Sequence, residues 1–429
     1  MSLPAKLLYN NKINSSFARN YNSVLQAQNT SNYGLGQTAI FNIPCQKNQV
    51  LSGADTMLAI KLRVRNGATA ANFAYLNKGG IAAAIQRLRI FSGSQLLCDI
   101  DNYGNLMSIL TPWQSSVEHV RGKLAVLQGC GDLRGLQLLD NANANAVVAD
   151  QDFCFPLLSI LSLTDNYVPL WAMSGNGSLR LEIQFVSTFT QFIGSTTAMA
   201  VSADGAQTVF SDCKLIANFV ELSDTAMQII ESSLEGKPVQ WVCQSYSNYV
   251  FNTQLRNATT QISMAIPAKY NSLKALYITM RRNPDGANAL FSDDCGKYFL
   301  SQYTTRIGSR VIPAEPPTTV AQFVCEMERA LGSASSRISP SSYTNAQVRF
   351  DAAQALASSG AFAVGIETES YSSAPMGSVY QGLNTSTDDI FWQGTFAANG
   401  AGDLNTRFDA YASFDQLITI DNGIVSIQY

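Results

Sequence analysis

The stretch from Ser211 to Val250, at the midpoint of the chain, most limits what the whole can fold into. It opens with strand alternation: Leu215, Ala217 and Phe219 against Lys214, Ile216 and Asn218, ending in Val220-Glu221-Leu222. Ser223 or Asp224 then caps a short helix over Thr225 to Leu234, with Glu231 and Glu235 on its polar side. Gly236-Lys237-Pro238 stops that helix, and a β-rich run follows through Val239, Trp241 and Cys243 to Val250. A strand, a capped helix, a Gly/Pro stop and a fresh strand mark the end of one β-unit and the start of another. The stretch reads as a hinge between two similar halves.

On this reading the chain divides into an N-terminal arm (1–34), a first jelly roll (35–222), a linker helix (223–238) and a second jelly roll (239–429). The arm is polar, with Lys6, Lys12 and Arg19 interspersed, and Leu3, Leu7, Leu8 and Tyr9 form a weak amphipathic foot. It is expected to be poorly ordered unless something holds it. In the first unit the clearest strand is Thr56 to Arg65, where Leu58, Ile60, Leu62 and Val64 face one way and Lys61, Arg63 and Arg65 the other. Ile85 to Phe91 alternates again, turns at Ser92-Gly93-Ser94-Gln95, and returns over Leu96 to Ile100. Asp101 is read as the cap of a helix that Pro112 ends.

The second unit repeats the plan. Strands are expected at Val239 to Val250, Ile262 to Ile266, Leu273 to Arg281, Tyr298 to Thr304, Phe362 to Thr368, Ile390 to Phe396 and Leu417 to Gln428, with a helix over Thr318 to Leu331. Gly93-Ser94 and Gly308-Ser309 lie 215 residues apart, and each follows a strand and precedes a helix. About eight short strands in each half, with long end loops and few helices, predict an all-β chain of two tandem eight-stranded jelly-roll sandwiches. A parallel β/α fold would need a helix between most strand pairs.

Charged residues make up 14 % of the chain, against about 25 % in ordinary soluble domains. Much of the surface is therefore Ser, Thr, Asn, Gln and Gly, or is covered by other subunits. A net charge of −3 gives no bulk attraction to nucleic acid, and no sequence-specific nucleic-acid binding is expected. The longest apolar runs fall short of a transmembrane helix, and Met1 to Lys6 lacks the apolar core of a signal peptide. Eight cysteines are scattered without a CxxC pair, which reads as reduced, mostly buried thiols rather than a zinc site. The single histidine, His119, sits in a polar run.

Catalytic signatures are missing: no GxSxG, HExxH, P-loop or GxGxxG is present. The adjacent acids Asp293-Asp294 and Asp388-Asp389 could serve a glycosidase, but in polar loops they read as solvated turn residues, and no calcium-loop spacing surrounds them. Aromatic residues are spread along strands, as core packing requires, rather than gathered into a stacking platform. The face carrying Lys61, Arg63 and Arg65 reads as a subunit or helix contact rather than a phosphate site. No catalytic, cofactor-binding or metal-binding residue is assigned, and the chain is not read as an enzyme.

One run is more specific. Arg87-Leu88-Arg89-Ile90-Phe91-Ser92-Gly93-Ser94-Gln95-Leu96-Leu97-Cys98-Asp99-Ile100-Asp101-Asn102-Tyr103 resembles the strand-turn-helix signature of double jelly-roll major capsid proteins, in the flavour of polinton-like viruses and virophages. Asn42-Ile43-Pro44-Cys45, Pro156-Leu157-Leu158-Ser159, Leu179 to Ile183, Phe219 to Asp224, Ser272 to Leu276, Met280-Arg281-Arg282 and Ile307-Gly308-Ser309 fit the same family in order. The resemblance implies homotrimers of pseudo-hexagonal outline that tile an icosahedral shell around DNA, so the expected location is the capsid shell of the virion. It implies penton and minor capsid proteins as partners and, in many members, an internal lipid membrane. Loops 114–150, 188–210, 283–297 and 332–360 become candidates for outer towers or trimer clasps. The arm, through Leu3, Lys6, Lys12 and Arg19, would face inward or link neighbours. The alternative is a tandem β-sandwich glycan-binding protein: a lectin, an adhesin or a minor capsid or spike component.

Overall fold

A computed structural model of the protein describes residues 18–66, 72–131, 135–142, 148–195, 201–202, 209–282, 295–332, 341–349, 360–369, 382–398, 403–421 and 423–429. The first half contains β1 (Ala18–Gln26), β2 (Thr38–Pro44), β3 (Gln49–Asn66), β4 (Asn72–Leu76), β5 (Ile85–Ser92), β6 (Gln95–Asp101), helix α1 (Tyr103–Gln114), β7 (Gln137–Ala142), β8 (Val148–Pro156), β9 (Ser178–Phe185), β10 (Ile193–Ser195), β11 (Val201–Ser202) and β12 (Phe210–Leu222). Helix α2 (Asp224–Leu234) links it to the second half. There follow β13 (Val239–Leu255), β14 (Thr260–Ile266), β15 (Leu273–Arg282), β16 (Leu300–Ile307), β17 (Arg310–Ile312), helix α3 (Val320–Ala330), the short α4 (Asn345–Val348), β18 (Val364–Glu367), β19 (Ile390–Phe396), β20 (Leu404–Asp421) and β21 (Ile424–Gln428).

The same sandwich is built twice. In the first half one sheet runs β1-β12-β3-β8 and the other β2-β9-β5-β6. In the second half the orders are β13-β20-β15-β18 and β14-β19-β16-β17. Taken in chain order, each strand of the second set occupies the position of its counterpart in the first. All these pairings are antiparallel, and each half is an eight-stranded jelly roll. The short β11 and β21 extend one sheet in each roll, and β10-β4-β7 form a small sheet of their own. The Gly-Ser pairs occupy equivalent hairpin tips, β5–β6 and β16–β17. Gly93 has φ 57° and Gly308 φ 56°, a left-handed conformation that costs a side-chain-bearing residue more than glycine. Helix α1 then leads from β6 toward β8, as α3 leads from β17 toward β18.

Alternation decides which residues enter the cores. Leu58, Ile60, Leu62 and Val64 of β3 are buried, as are Leu179, Leu181, Ile183 and Phe185 of β9. The second core centres on Trp392, Tyr303, Phe396 and Phe408.

Several expectations are corrected. Part of the arm expected over 1–34 is a strand: β1 pairs with β12 from Ala18 opposite Leu222 to Gln26 opposite Lys214. Helix α1 is preceded by Asn102 in a left-handed conformation (φ 48°) rather than capped by Asp101, and it continues through Pro112 to Gln114. The tertiary anchor of Trp113, whose Nε1 donates to the Ala361 carbonyl at 2.8 Å, holds the last turn despite the proline. The final long strand begins at Leu404, well before the expected Leu417. By contrast Ser223 caps α2 through the Ala226 amide, and Thr319 caps α3 in a reciprocal box with Gln322.

Strands that alternate in direction send their connections to two opposite ends. At one end, the base, lie the β2–β3 turn, the Gly93 tip, the segment 157–177, α2 and the C-terminal β21. They touch: Asn48 Nδ2 donates to Asp224 Oδ1 at 2.6 Å, and the Leu222 amide to the Asn48 carbonyl at 2.7 Å. The four segments expected as outer loops all join strands at the far end, and large parts of them lie outside the described residues.

Helix α1 approaches the backbone closely. A Cβ on Gly104 would stand 2.4 Å from the Ala83 carbonyl oxygen. Gly104→Ala is therefore expected to destabilise the fold, by about 1–3 kcal/mol, although alanine is the better helix former. A higher midpoint of thermal unfolding for this variant would contradict the packing.

Candidate assembly interfaces

The two rolls meet along a seam in which β6 and α1 of the first cover the outer face of the β13-β20-β15-β18 sheet of the second. Several polar side chains in the seam are paired across it. Asn105 Nδ2 donates to the Tyr411 hydroxyl at 3.0 Å and to Thr279 Oγ1 at 3.3 Å, and the Tyr411 hydroxyl donates to the Asn102 carbonyl at 3.0 Å. Gln416 Nε2 reaches the Leu97 carbonyl at 2.7 Å. Burial pushes the Tyr411 phenol well above its ordinary pKa, so it stays a neutral donor. Toward the base, Thr164 Oγ1 accepts from Trp241 Nε1 at 3.0 Å and donates to the Val242 carbonyl at 2.9 Å. On the other flank Trp113 packs on Tyr343, ring centroids 4.3 Å apart. Beneath α1, Asp409 is fully buried and bound by Arg281 (Nε, 2.8 Å) and Arg407 (Nη2, 2.9 Å).

The seam leaves a signature in burial that its counterparts lack. Strand β20 is buried almost without interruption from Thr406 to Ile418, because both its faces are covered. Its equivalent β12 alternates buried and partly exposed residues along most of its length, because only one face is covered. Helix α1 buries ten residues: Tyr103 to Leu106 and Ser108 to Trp113. Its equivalent α3 buries three, Phe323, Met327 and Glu328, and leaves Ala321, Gln322, Cys325 and Arg329 exposed. Val311 of β17, next to α3 in sequence, is 50 % exposed. Each half of the seam thus has an uncovered twin: α3 with β17 on the second roll, and the outer face of the β1-β12-β3-β8 sheet on the first. That open sheet face carries Lys61, in an ion pair with Asp152 at 3.4 Å, and a shallow hollow of about 300 Å³ lined by Ala59, Lys61, Cys154, Lys214 and Ile216 of the sheet and bordered by Val126 and Leu127 of the helical segment 117–128.

The residues singled out in the sequence fall elsewhere. Leu3, Lys6 and Lys12 lie outside the described residues, and Arg19 is exposed on β1, opposite Glu221. Asp293 and Asp294 also lie outside them. Asp388 and Asp389 fasten the base of the second roll: Lys269 Nζ donates to the Asp388 carbonyl at 2.6 Å and to Asp389 Oδ1 at 2.8 Å. His119 is exposed near the start of a helical segment over residues 117–128. Cys98, Cys130, Cys213, Cys243 and Cys295 are buried, and burial raises the Cys98 thiol to about 11 and the Cys213 thiol to about 12. Among the described residues no group of three or more His, Cys, Asp or Glu is placed to hold a metal ion, and no helix is long and apolar enough to cross a membrane. The seam residues Asn102, Asn105, Tyr411 and Gln416 were not read from sequence. The signal available was the run Ala410-Tyr411-Ala412-Ser413-Phe414, whose lack of alternation marks a strand covered on both faces.

No family model matches the sequence, and no curated protein matches it. Solved structures do. PBCV-1 VP54, as fitted into a cryo-EM reconstruction of the virophage Sputnik, is similar with a TM-score of 0.62 at 13 % identity, covering 98 % of this chain and 99 % of that one. The faustovirus major capsid protein gives 0.60 at 9 % identity, over 96 % and 92 % of the two chains. The mavirus major capsid protein gives 0.56 at 14 % identity, over 100 % and 96 %. The likeness covers at least 92 % of every chain compared, too much to be confined to one of the two sandwiches. This chain has the double jelly-roll fold of viral major capsid proteins.

Proposed function

We propose that the protein is the major capsid subunit of an icosahedral virus and that it assembles by repeating between chains the contact already made within one. The observation that carries this is the unequal burial of equivalent elements: β20 against β12, and α1 against α3. The uncovered α3 and β17 of one chain seat on the uncovered β1-β12-β3-β8 face of the next. Such a contact is heterologous, and it closes into a ring when each roll-to-roll step turns by about a sixth of a circle. Three chains then present six rolls around a common axis, a pseudo-hexagonal block suited to tiling a shell. Further contacts between blocks and with penton and minor capsid proteins, a DNA genome within, and location in the virion shell follow the family resemblance. The chain's role is structural and no reaction is assigned to it.

Negative-stain images of the purified protein test this reading: six-lobed outlines near hexagonal support it, and two-lobed single chains count against it. Cys325 supplies a chemical check. It is exposed on α3 in the isolated chain and lies within the face that the ring would cover. Alkylation at Cys325, followed by mass spectrometry, is expected to run at least about tenfold slower in the assembled block than in a dissociated chain, as solvent access falls. Equal rates would place α3 outside the interface.

A further inference from the structure

The seam and the two uncovered faces correspond position by position. In the seam, Asn105 is the third residue of α1, and its Nδ2 donates to Thr279 Oγ1 of β15 at 3.3 Å and to the Tyr411 hydroxyl of β20 at 3.0 Å. The third residue of α3 is Gln322, and the buried pairs Leu106 with Leu110 and Phe323 with Met327 follow at the same places in the two helices. Gln322 is exposed. Its Oε1 accepts from the Thr318 and Thr319 amides at 2.9 and 3.1 Å, so its Nε2 remains to donate elsewhere. On the receiving sheets, Phe210 pairs with Leu62 in the first roll as Phe408 pairs with Met280 in the second, and both phenylalanines are fully buried. Counted from there, Lys61 stands where Thr279 stands, Lys214 where Tyr411 stands, and Ala59 where the buried Tyr277 stands. A small side chain in place of a tyrosine opens the hollow of about 300 Å³ on the uncovered sheet face. Lys61 and Lys214 flank it, each paired with an acid that also lines it: Asp152 at 3.4 Å and Asp212 at 2.9 Å.

We propose that Gln322 of one chain enters this hollow on the next chain, where its Nε2 donates to the carboxylates of Asp152 and Asp212. This rests on the head-to-tail assembly proposed above. Gln322 then repeats the part that Asn105 plays within the chain, with one methylene more to fill the depth that Ala59 leaves. Among the described residues the charged groups lining the hollow are two lysines and two acids, already paired with one another. A neutral carboxamide suits such a site better than a further charge, which would lose its water there without a counter-ion of its own. The contact fixes the register at which α3 crosses the neighbour's sheet, over the β3–β12 pair.

Cysteines placed at the two positions test it, in full-length protein with the native Cys154 and Cys325 replaced by serine. Lys61→Cys with Gln322→Cys, treated with a short bis-maleimide, is expected to give two- and three-chain bands on a denaturing gel. Arg65→Cys with Gln322→Cys moves the first thiol about 13 Å along β3 and is expected to link at least about tenfold more slowly. Equal or faster linking at position 65 overturns the pairing. So does an absence of linking at position 61 in protein whose solution mass is three chains, a result that leaves the ring itself standing. A single-chain mass at every concentration overturns the ring and the pairing together. Gln322→Met keeps the length and removes the donor, while Thr319 still caps α3. The three-chain species is then expected to dissociate at about tenfold to hundredfold higher concentration, as a hydrogen bond to a charged group is lost. The unfolding midpoint of the single chain is expected to stay nearly unchanged. An unaltered dissociation concentration overturns the role of Nε2.

Discussion

Replacing Asp409 with alanine is expected to lower the stability of the folded chain by about 3–5 kcal/mol, the range found when one partner of a buried ion pair is removed. Asp409 is fully buried in β20, and its carboxylate takes Arg281 on one oxygen and Arg407 on the other, at 2.8 and 2.9 Å. The Arg281 side chain is itself only 8 % exposed. Without the carboxylate, two guanidinium groups remain side by side with much less water to solvate them. Asp409→Asn keeps the volume and loses the charge, so an intermediate loss is expected. Urea unfolding of the two variants, beside the exposed control Asp165→Ala, measures the effect. A loss in Asp409→Ala no larger than in the control would mean that the triad contributes little net stability.

The second large effect concerns association rather than folding. Ala321 and Cys325 lie one turn apart on the exposed face of α3. Ala321→Arg with Cys325→Arg is expected to leave the unfolding midpoint of the single chain nearly unchanged, because neither side chain packs in the core. In the ring the two new charges would be trapped without partners, at a cost of roughly 2–5 kcal/mol per contact. The three-chain species should then give way to single chains at micromolar concentration, as read by size-exclusion chromatography. Persistence of the larger species would remove α3 from the interface.

What was legible in the sequence follows from how many faces of each strand are covered. Thr56 to Arg65 stood out because that part of the β1-β12-β3-β8 sheet has one buried and one open face, so Leu58 to Val64 alternate with Lys61 to Arg65. Strand β20 was hidden for the opposite reason. Covered on both faces, its Ala410 to Phe414 segment carries no period of two, and the strand was recognised only from Leu417. The equivalence of Gly93 and Gly308 was readable because a tight hairpin requires a positive φ at that point. The seam was not readable, since Asn105 and Tyr411 are 306 residues apart and only the fold brings them together. Pro112 misled for a similar reason: local chemistry ends the helix there, while the buried anchor of Trp113 carries it onward. The assembly faces left no motif at all. They emerge only when β12 is set beside β20, and α3 beside α1.

The most direct test of head-to-tail assembly is the solution mass of the purified full-length protein, by light scattering at micromolar concentration. A mass of three 46.4 kDa chains is the predicted result. A single-chain mass that persists as concentration is raised, or a two-chain mass, would contradict a closed ring of six rolls.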